Sequence, residues 1–460
     1  MTRELFKGGS MKARLLSGGG WATAGQALTT ASGLVVSVIL AHLLPPEAVG
    51  GYFLALNVVV VLSTLTCLGL DQAVLQRVGS MAGGRDADLA GGTVLKGLLF
   101  VCVTGVAGAL LYLLLGGGPL TRRVFHSDLL AAATLPVAVW VLAATVQRYL
   151  AQAYRSLHRI RESVLFGART RFGGVYATLA VIAVLGALLV AFGRVSLATA
   201  LLATALSSLL ISVWGGARLL LKTRAHASRL AQVQLSGLLL VGLPLLVHTL
   251  SEYFTKRADM WMAGIYLTDQ VTGLYGAAAS LALVASVPLT VVNIVIPPFI
   301  GELYQKNSTS RIATLCGLTS GAAILGTAAA AVVFLLFGRQ LLTLLFGTFY
   351  GGGSTVLLIL VVGEIAKVAV GSSALVLMMT GHQRSLMFAS IVGAVVAIAL
   401  GLILGYLFGL MGIAVASAIG VTFQQVLKLL IVRFRLGIWT HARPLLALGR
   451  GLRMIRSRET

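Results

Sequence analysis

The sequence predicts an all-α, polytopic membrane protein of about twelve transmembrane helices, and three observations carry that prediction. Of the 460 residues, 58% are hydrophobic and only 10% charged, with a mean hydropathy of +0.96, whereas soluble domains carry about 25% charged residues. Apolar windows recur from one end to the other; twelve of them at about 20 residues each consume roughly 240 residues, which leaves short connections and no sizeable extramembrane domain. Lys and Arg, finally, crowd onto alternate connections. A water-soluble enzyme is excluded.

Taken in order, the windows fall near 21–44, 50–72, 91–116, 129–153, 164–191, 196–217, 236–266, 272–299, 312–337, 354–379, 386–408 and 411–432. The first, Trp21 to Leu44, follows a basic, glycine-rich stretch with no apolar h-region and contains no plausible cleavage site, so it reads as a retained span. The fourth and fifth are the hardest to delimit, because six arginines lie between Arg148 and Arg171.

Sidedness follows from the basic residues, which accumulate on cytoplasmic connections. One side takes Arg3, Lys7, Lys12, Arg14, Arg77, Arg85, the arginines from Arg155 to Arg171, those of the 218–229 linker, Lys306, Arg311, Arg384 and the C-terminal tail, 25 in all; the other has only Arg122, Arg123, Arg194 and Arg339. Both termini are therefore expected in the cytoplasm. The formal charge of +22 is mostly topology, and nucleic-acid binding is not expected. Leucines interspersed with arginines from Thr440 to Arg458 suit a helix lying on anionic lipid.

An internal repeat supplies the architecture. Leu44-Pro-Pro-Glu-Ala-Val-Gly50-Gly-Tyr52-Phe-Leu-Ala55 and Leu267-Thr-Asp-Gln-Val-Thr-Gly273-Leu-Tyr275-Gly-Ala-Ala278 share four identities at a constant offset of 223 residues, close to half the chain. They sit at the first and seventh connections. Two six-helix bundles that enter the membrane in the same sense are related by a pseudo-two-fold along the membrane normal. The expected organisation is a basic cytoplasmic segment 1–20, an N-terminal bundle 21–217, a basic linker 218–235, a C-terminal bundle 236–432 and a basic cytoplasmic tail 433–460. Two bundles around a central cavity make an alternating-access transporter.

Ten ionisable residues remain within the spans: Lys96, Arg148, Lys256, Arg257, Lys367, Lys428, Asp71, Glu252, Asp259 and Glu364. A charge at the bilayer centre costs about 2.5–3.5 kcal/mol on insertion scales, so such groups face a partner or a watery cavity. Lys96, Asp71 and Lys428 lie near span ends, where they either snorkel or are held inside. The seventh span is different. At about 100° per residue, His248, Glu252, Lys256 and Asp259 share an arc of roughly 80°, with Arg257 opposite His248. A self-neutralising Glu252–Lys256 pair is the structural alternative there, as an i,i+3 pair is for Glu364 and Lys367. Arg148 could hold a lipid phosphate.

Soluble-type chemistry is mostly absent. No Lys follows a Gly, so no P-loop exists; HExxH, GxSxG and CxxC are missing, and Asp86-Ala-Asp88 is a lone DxD in a short loop. Neither enzyme activity nor a metal site is expected. Cys67, Cys102 and Cys316 read as buried thiols without a role. Two GxxxG patterns, Gly317 to Gly321 and Gly405 to Gly409, indicate close helix approach.

Leu40-Ala-His-Leu-Leu-Pro-Pro-Glu-Ala-Val-Gly-Gly-Tyr52 with Gly69-Leu-Asp-Gln-Ala73 resembles the opening spans of the polysaccharide-biosynthesis flippases of the multidrug/oligosaccharidyl-lipid/polysaccharide (MOP) exporter superfamily. Val271-Thr-Gly-Leu-Tyr-Gly-Ala-Ala278 and Met379-Thr-Gly-His382 resemble the start of that family's eighth span and its turn after the tenth. The resemblance implies a flippase that moves undecaprenyl-diphosphate-linked oligosaccharide (O-antigen or exopolysaccharide repeat units) to the outer leaflet of the bacterial cytoplasmic membrane. It further implies drive by an H⁺ or Na⁺ gradient without a cofactor, beside a polymerase and a chain-length regulator. On that reading Lys256 and Arg257 engage the diphosphate or an acidic sugar, assisted by Arg148 or Lys367. Glu252, Asp259, Glu364 and Asp71 are the ion-coupling candidates. A cation-coupled multidrug antiporter of the same superfamily is the main alternative; a membrane polymerase or glycosyltransferase, which would carry a large outer loop, is the other. Related peptidoglycan-precursor flippases usually have fourteen spans.

Overall fold

A computed structural model describes residues 31–81, 87–116, 127–157, 159–167, 173–224, 230 and 232–442. Its helices are α1 Ala31–Leu43, α2 Pro46–Thr66, α3 Leu70–Met81, α4 Ala87–Leu111, α5 Asp128–Ala132, α6 Thr134–Ser156, α7 Ile160–Phe166, α8 Val175–Phe192 and α9 Leu197–Thr223. They continue with α10 Leu235–Tyr266, α11 Asp269–Ala282, α12 Val287–Val295, α13 Pro297–Gln305, α14 Thr309–Phe346, α15 Ser354–Val370, α16 Ser373–Met379 and α17 Gln383–Leu436. No strand occurs among the described residues. Among the described residues, ten helices are long and apolar enough to cross a membrane, as a lipid environment demands, since only a helix or a closed barrel satisfies its backbone there. The surface agrees: Val190 is 90% exposed, Leu240 78% and Tyr406 77%. This is a multi-pass membrane protein.

Local chemistry explains where the windows break. The expected second span bends at Cys67–Gly69, where Leu68 and Gly69 take positive φ, and resumes as α3. The fifth starts at Val175 rather than 164, because residues 160–166 form the separate α7. The eighth bends through a 3₁₀ turn, Leu283–Ser286, ahead of Pro288. Helix α17 has 54 residues, about 80 Å at 1.5 Å each, far beyond a bilayer; Gly409, at φ 54° and ψ −129°, breaks it in two. Gly409 thus serves a turn, whereas Gly405 of the same GxxxG lies against Tyr266 and Ile413. The basic segment 1–20, Arg169, Arg171 and the amphipathic tail beyond 442 lie outside the described residues.

Small side chains let the helices approach, as they must where lipid offers no hydrophobic drive. Gly363 of α15 meets Ala418, and Gly393 meets Gln424. In the first half α6 is central, packed by α2, α3, α4 and α9, with Tyr52 Oη bonded to Thr204 Oγ1 at 2.8 Å and Gln147 Nε2 donating to the Ser208 carbonyl at 2.9 Å. In the second half α10 lies along α17, and α15 packs on α14 and α17.

The halves meet chiefly through α2 and α11, with α10 resting on α2 and α3. That contact is reciprocal at the repeat offset. Gln270 Nε2 donates to Glu47 Oε1 at 2.6 Å across 223 residues. A Cβ on Gly50 would lie 1.9 Å from the Asp269 carbonyl oxygen; one on Gly273 would lie 2.6 Å from that of Pro46. Gly50 pairs with Gly273, and Pro46 with Asp269, at the same offset, the pattern a local two-fold between α2 and α11 produces. His42 Nε2, donating to the Leu345 carbonyl at 3.0 Å, and Ser127 Oγ, donating to Asp269 Oδ2 at 2.9 Å, add to the seal.

Candidate functional site

Four charged residues from α10 and α15 converge on one cavity. Arg257, Asp259, Glu364 and Lys367 line it, with Ser417, Gln424 and Gln425 of α17 opposite. Its volume is about 120 Å³, less than the 150 Å³ that takes one benzene, so as it stands it has room for a group about the size of one phosphate. Asp259 is held as an acceptor from three directions. Its Oδ2 accepts from Tyr275 Oη at 2.7 Å and Ser417 Oγ at 2.9 Å, while Oδ1 accepts from the Met260 amide at 2.7 Å. Glu364 and Lys367, one turn apart on α15, form an ion pair, as their i,i+3 spacing allows. Arg257 reaches the cavity although its helical angle sets it apart from Asp259, because a guanidinium on three methylenes can pass round the flank of α10.

Glu252 has a partner that sequence spacing does not show. Its Oε1 accepts from Lys428 Nζ at 2.7 Å, Ser390 Oγ at 2.7 Å and Gln424 Nε2 at 3.3 Å. Lys428 is 1% exposed and also donates to Gln424 Oε1 at 2.9 Å, so it does not snorkel. Gln424, which donates to Thr255 Oγ1 as well, joins this network to the cavity wall. The two helices share a charge pair: the buried Lys428 of α17 is neutralised by the part-buried Glu252 of α10. The Lys256 side chain lies outside the described residues; only its place on α10 is given.

Arg148 and Asp71 stand elsewhere. They pair with each other, 3.8 Å apart, between α6 and α3 in the first half, and neither lines the cavity. Lys96 caps the linker by donating to the Val233 and Leu230 carbonyls at 2.6 and 3.1 Å. On the connection before α8, burial pushes the Glu162 carboxyl up, but hydrogen bonds from its own backbone amide, Lys222 and Arg159 outweigh that and hold it below its ordinary value. Among the described residues, no cluster of His, Cys, Asp and Glu could hold a metal. Cys67 and Cys316 are buried free thiols.

The family model described as "Polysaccharide biosynthesis protein" matches residues 15–304, well over half of the chain, and the protein belongs to that family. No curated protein sequence matches it. Among solved structures, a multidrug-resistance MATE transporter of the MOP superfamily in an inward-facing conformation aligns with a TM-score of 0.70 at 17% identity, over 89% of this chain and 94% of that one. A MOP-superfamily transporter from Pyrococcus furiosus, described as having a binding pocket of reversed polarity that suggests a different function, aligns at 0.64 and 16% identity, over 93% and 96%. The lipid II flippase MurJ, inward closed, aligns at 0.60 and 12% identity, over 89% and 87%. The fold is that shared by these MOP-superfamily structures.

Proposed function

We propose that this protein is a flippase for undecaprenyl-diphosphate-linked oligosaccharide repeat units, carrying them from the inner to the outer leaflet of the bacterial cytoplasmic membrane for surface polysaccharide. The observation that carries this reading is a pair of cations, Arg257 and Lys367, at one cavity among the spans of a polysaccharide-biosynthesis family member. A lipid-linked diphosphate must cross about 30 Å of hydrocarbon, and charge-assisted pairing with guanidinium and ammonium groups lowers the cost of each buried phosphate. The cavity volume, about 120 Å³, suits one phosphate group; the rest of the diphosphate, the glycan and the polyprenyl tail pass between the halves outside it. Lys256 and Arg148 remain assisting cations in this scheme, Arg148 as a lipid-phosphate contact. Drive comes from an H⁺ or Na⁺ gradient acting on Glu364, Asp259, Glu252 or Asp71. Both termini and the 218–235 linker face the cytoplasm, while a polymerase and chain-length regulator would act on the units once they reach the outer leaflet.

The carboxylates Asp259 and Glu364 in the same cavity favour a second reading, a cation-coupled multidrug antiporter, which fits the MATE neighbours equally well. One experiment separates the two. The gene is deleted in its own host and complemented with wild type, Arg257→Ala or Lys367→Ala, with membrane insertion checked. A flippase gives complete lipid-linked repeat units trapped on the cytoplasmic face and loss of surface polymer in the deletion, with poor rescue by either variant. Normal glycan with heightened sensitivity to cationic drugs would replace it with the antiporter.

A further inference from the structure

Phe166, Tyr176 and Trp214 form an aromatic shelf where α7, α8 and α9 meet. The Tyr176 and Trp214 rings stack 5.4 Å apart at 23°, and Phe166 stands edge-to-face to both, at 5.3 and 5.0 Å. Gly215 lets α9 come this close: a Cβ there would lie 3.0 Å from Phe166, and Tyr154 Oη donates to the Gly215 carbonyl at 2.8 Å. The Arg218 guanidinium lies over the shelf, 5.5 Å from the Trp214 ring centre and 5.9 Å from that of Phe166. Stacking of this kind orients the guanidinium plane without using its N–H donors. Among the described residues no carboxylate forms an ion pair with Arg218.

Charge is out of balance around the shelf. Glu162 accepts from Arg159 at 3.1 Å and from Lys222 at 3.3 Å, and Glu162, Arg159 and Arg218 all act electrostatically on Tyr154. Three cations therefore share one acid. Lys222 spends one of its three donors on Glu162. On α9, Trp214, Arg218 and Lys222 follow one another at i,i+4, about 13, 8 and 2 Å from the end of the helix at 1.5 Å per residue. That is the order of a bilayer boundary, with the ring at the base of the headgroups and the cations among them. Beside them Leu210, Val213 and Leu221 are exposed, an apolar strip fit for acyl chains. The shelf is on the side expected to be cytoplasmic, where anionic lipids attract Lys and Arg. Helix α9 packs on α6, α8, α4 and α2, all in the first half, which puts the shelf on the outer flank of that half and away from the seam. A molecule moving between the halves would not pass here.

We propose that Arg218 and Lys222 hold the phosphodiester of an anionic phospholipid, with Trp214 beneath its glycerol and its acyl chains along Leu210 and Val213. The phosphate is the anion that Arg218 lacks. Bound there, it links the end of α9 to α7 through Lys222 and Glu162, so that this flank of the first half carries a resident lipid. The inference does not depend on what the protein transports.

The test is native mass spectrometry of the purified full-length protein in uncharged detergent, titrated with dioleoylphosphatidylglycerol or dioleoylphosphatidylcholine. The wild type should take up one phosphatidylglycerol before any phosphatidylcholine. Each cation near an anionic lipid is worth about 1 kcal/mol, or about fivefold. Arg218→Gln with Lys222→Gln should therefore weaken the first phosphatidylglycerol about thirtyfold and leave phosphatidylcholine unchanged. Trp214→Leu, which keeps both charges, should weaken it about two- to fivefold. Arg311→Gln with Arg384→Gln removes the same charge from exposed positions elsewhere on that side and should change nothing. A melting temperature equal to that of the wild type in phosphatidylcholine shows that a variant is folded; where the first double variant falls short, Arg218→Gln alone, with its fivefold loss, takes its place. Equal losses in the two double variants would reduce the preference to net charge and overturn the site. So would equal binding of the two lipids by the wild type, or displacement of phosphatidylglycerol by millimolar inorganic phosphate, which would make the shelf a site for free phosphate.

Discussion

Replacing Lys428 by Met isolates the electrostatics of the α10–α17 contact, because methionine keeps the length and most of the volume of the side chain while removing its charge. Lys428 is 1% exposed, and its ammonium is the one cation on Glu252 Oε1 among the bonds described. Among the bonds described, the carboxylate then keeps Ser390 and Gln424. Breaking a fully buried pair costs about 3–5 kcal/mol; with the Glu252 side chain 20% exposed, the expected destabilisation lies at the lower end, about 3 kcal/mol. Cys67 and Cys316 are buried, so thermal exposure to a thiol-reactive fluorophore reports unfolding in detergent. Lys428→Met should melt well below wild type, and Glu252→Gln with Lys428→Met should recover most of the loss. A single variant as stable as wild type, or a double variant as unstable as the single, refutes the argument.

Gly50→Leu should abolish transport without abolishing insertion, since even its Cβ would meet the Asp269 carbonyl at 1.9 Å and force α2 from α11; labelling of a cysteine at Asn57, beneath the crossing, should rise. Glu47→Cys with Gln270→Cys, whose parent side chains touch at 2.6 Å, should form a disulfide that stops transport until reductant is added, while either single cysteine transports normally. Glu162, with its carboxyl held below the ordinary value, stabilises the connection before α8 only while ionised. That contribution is complete above the unfolded value near 4.5 and is lost as pH falls through the lower folded value. Glu162→Gln should therefore raise protease sensitivity of this connection at neutral pH, the difference from wild type shrinking as pH falls below about 4.5.

Helix content and most span positions were legible in the sequence because a bilayer forces apolar runs of a fixed length. The i,i+3 pair of Glu364 and Lys367 was legible because helical spacing alone determines it. Lys428 was not. Its partner lies 176 residues away, and near a span end its aliphatic stem fits snorkelling as well as burial. Arg148 and Asp71 stood among the candidates without any sign that each would face the other. The GxxxG at Gly405 to Gly409 pointed only to close helix approach, whereas Gly405 packs and Gly409 turns. The repeat at offset 223 pointed to related halves, while nothing in it indicated that the matching residues themselves touch.

That reciprocity shapes how the seal between the halves gives way. Each contact at the α2–α11 crossing joins a residue to its own counterpart or mirrors a second contact, so a motion that respects the local two-fold stretches the mirrored Gly50–Asp269 and Gly273–Pro46 contacts by the same amount. Glu47–Gln270 lies across the axis itself, and α10, resting on α2 and α3, spans the same seam.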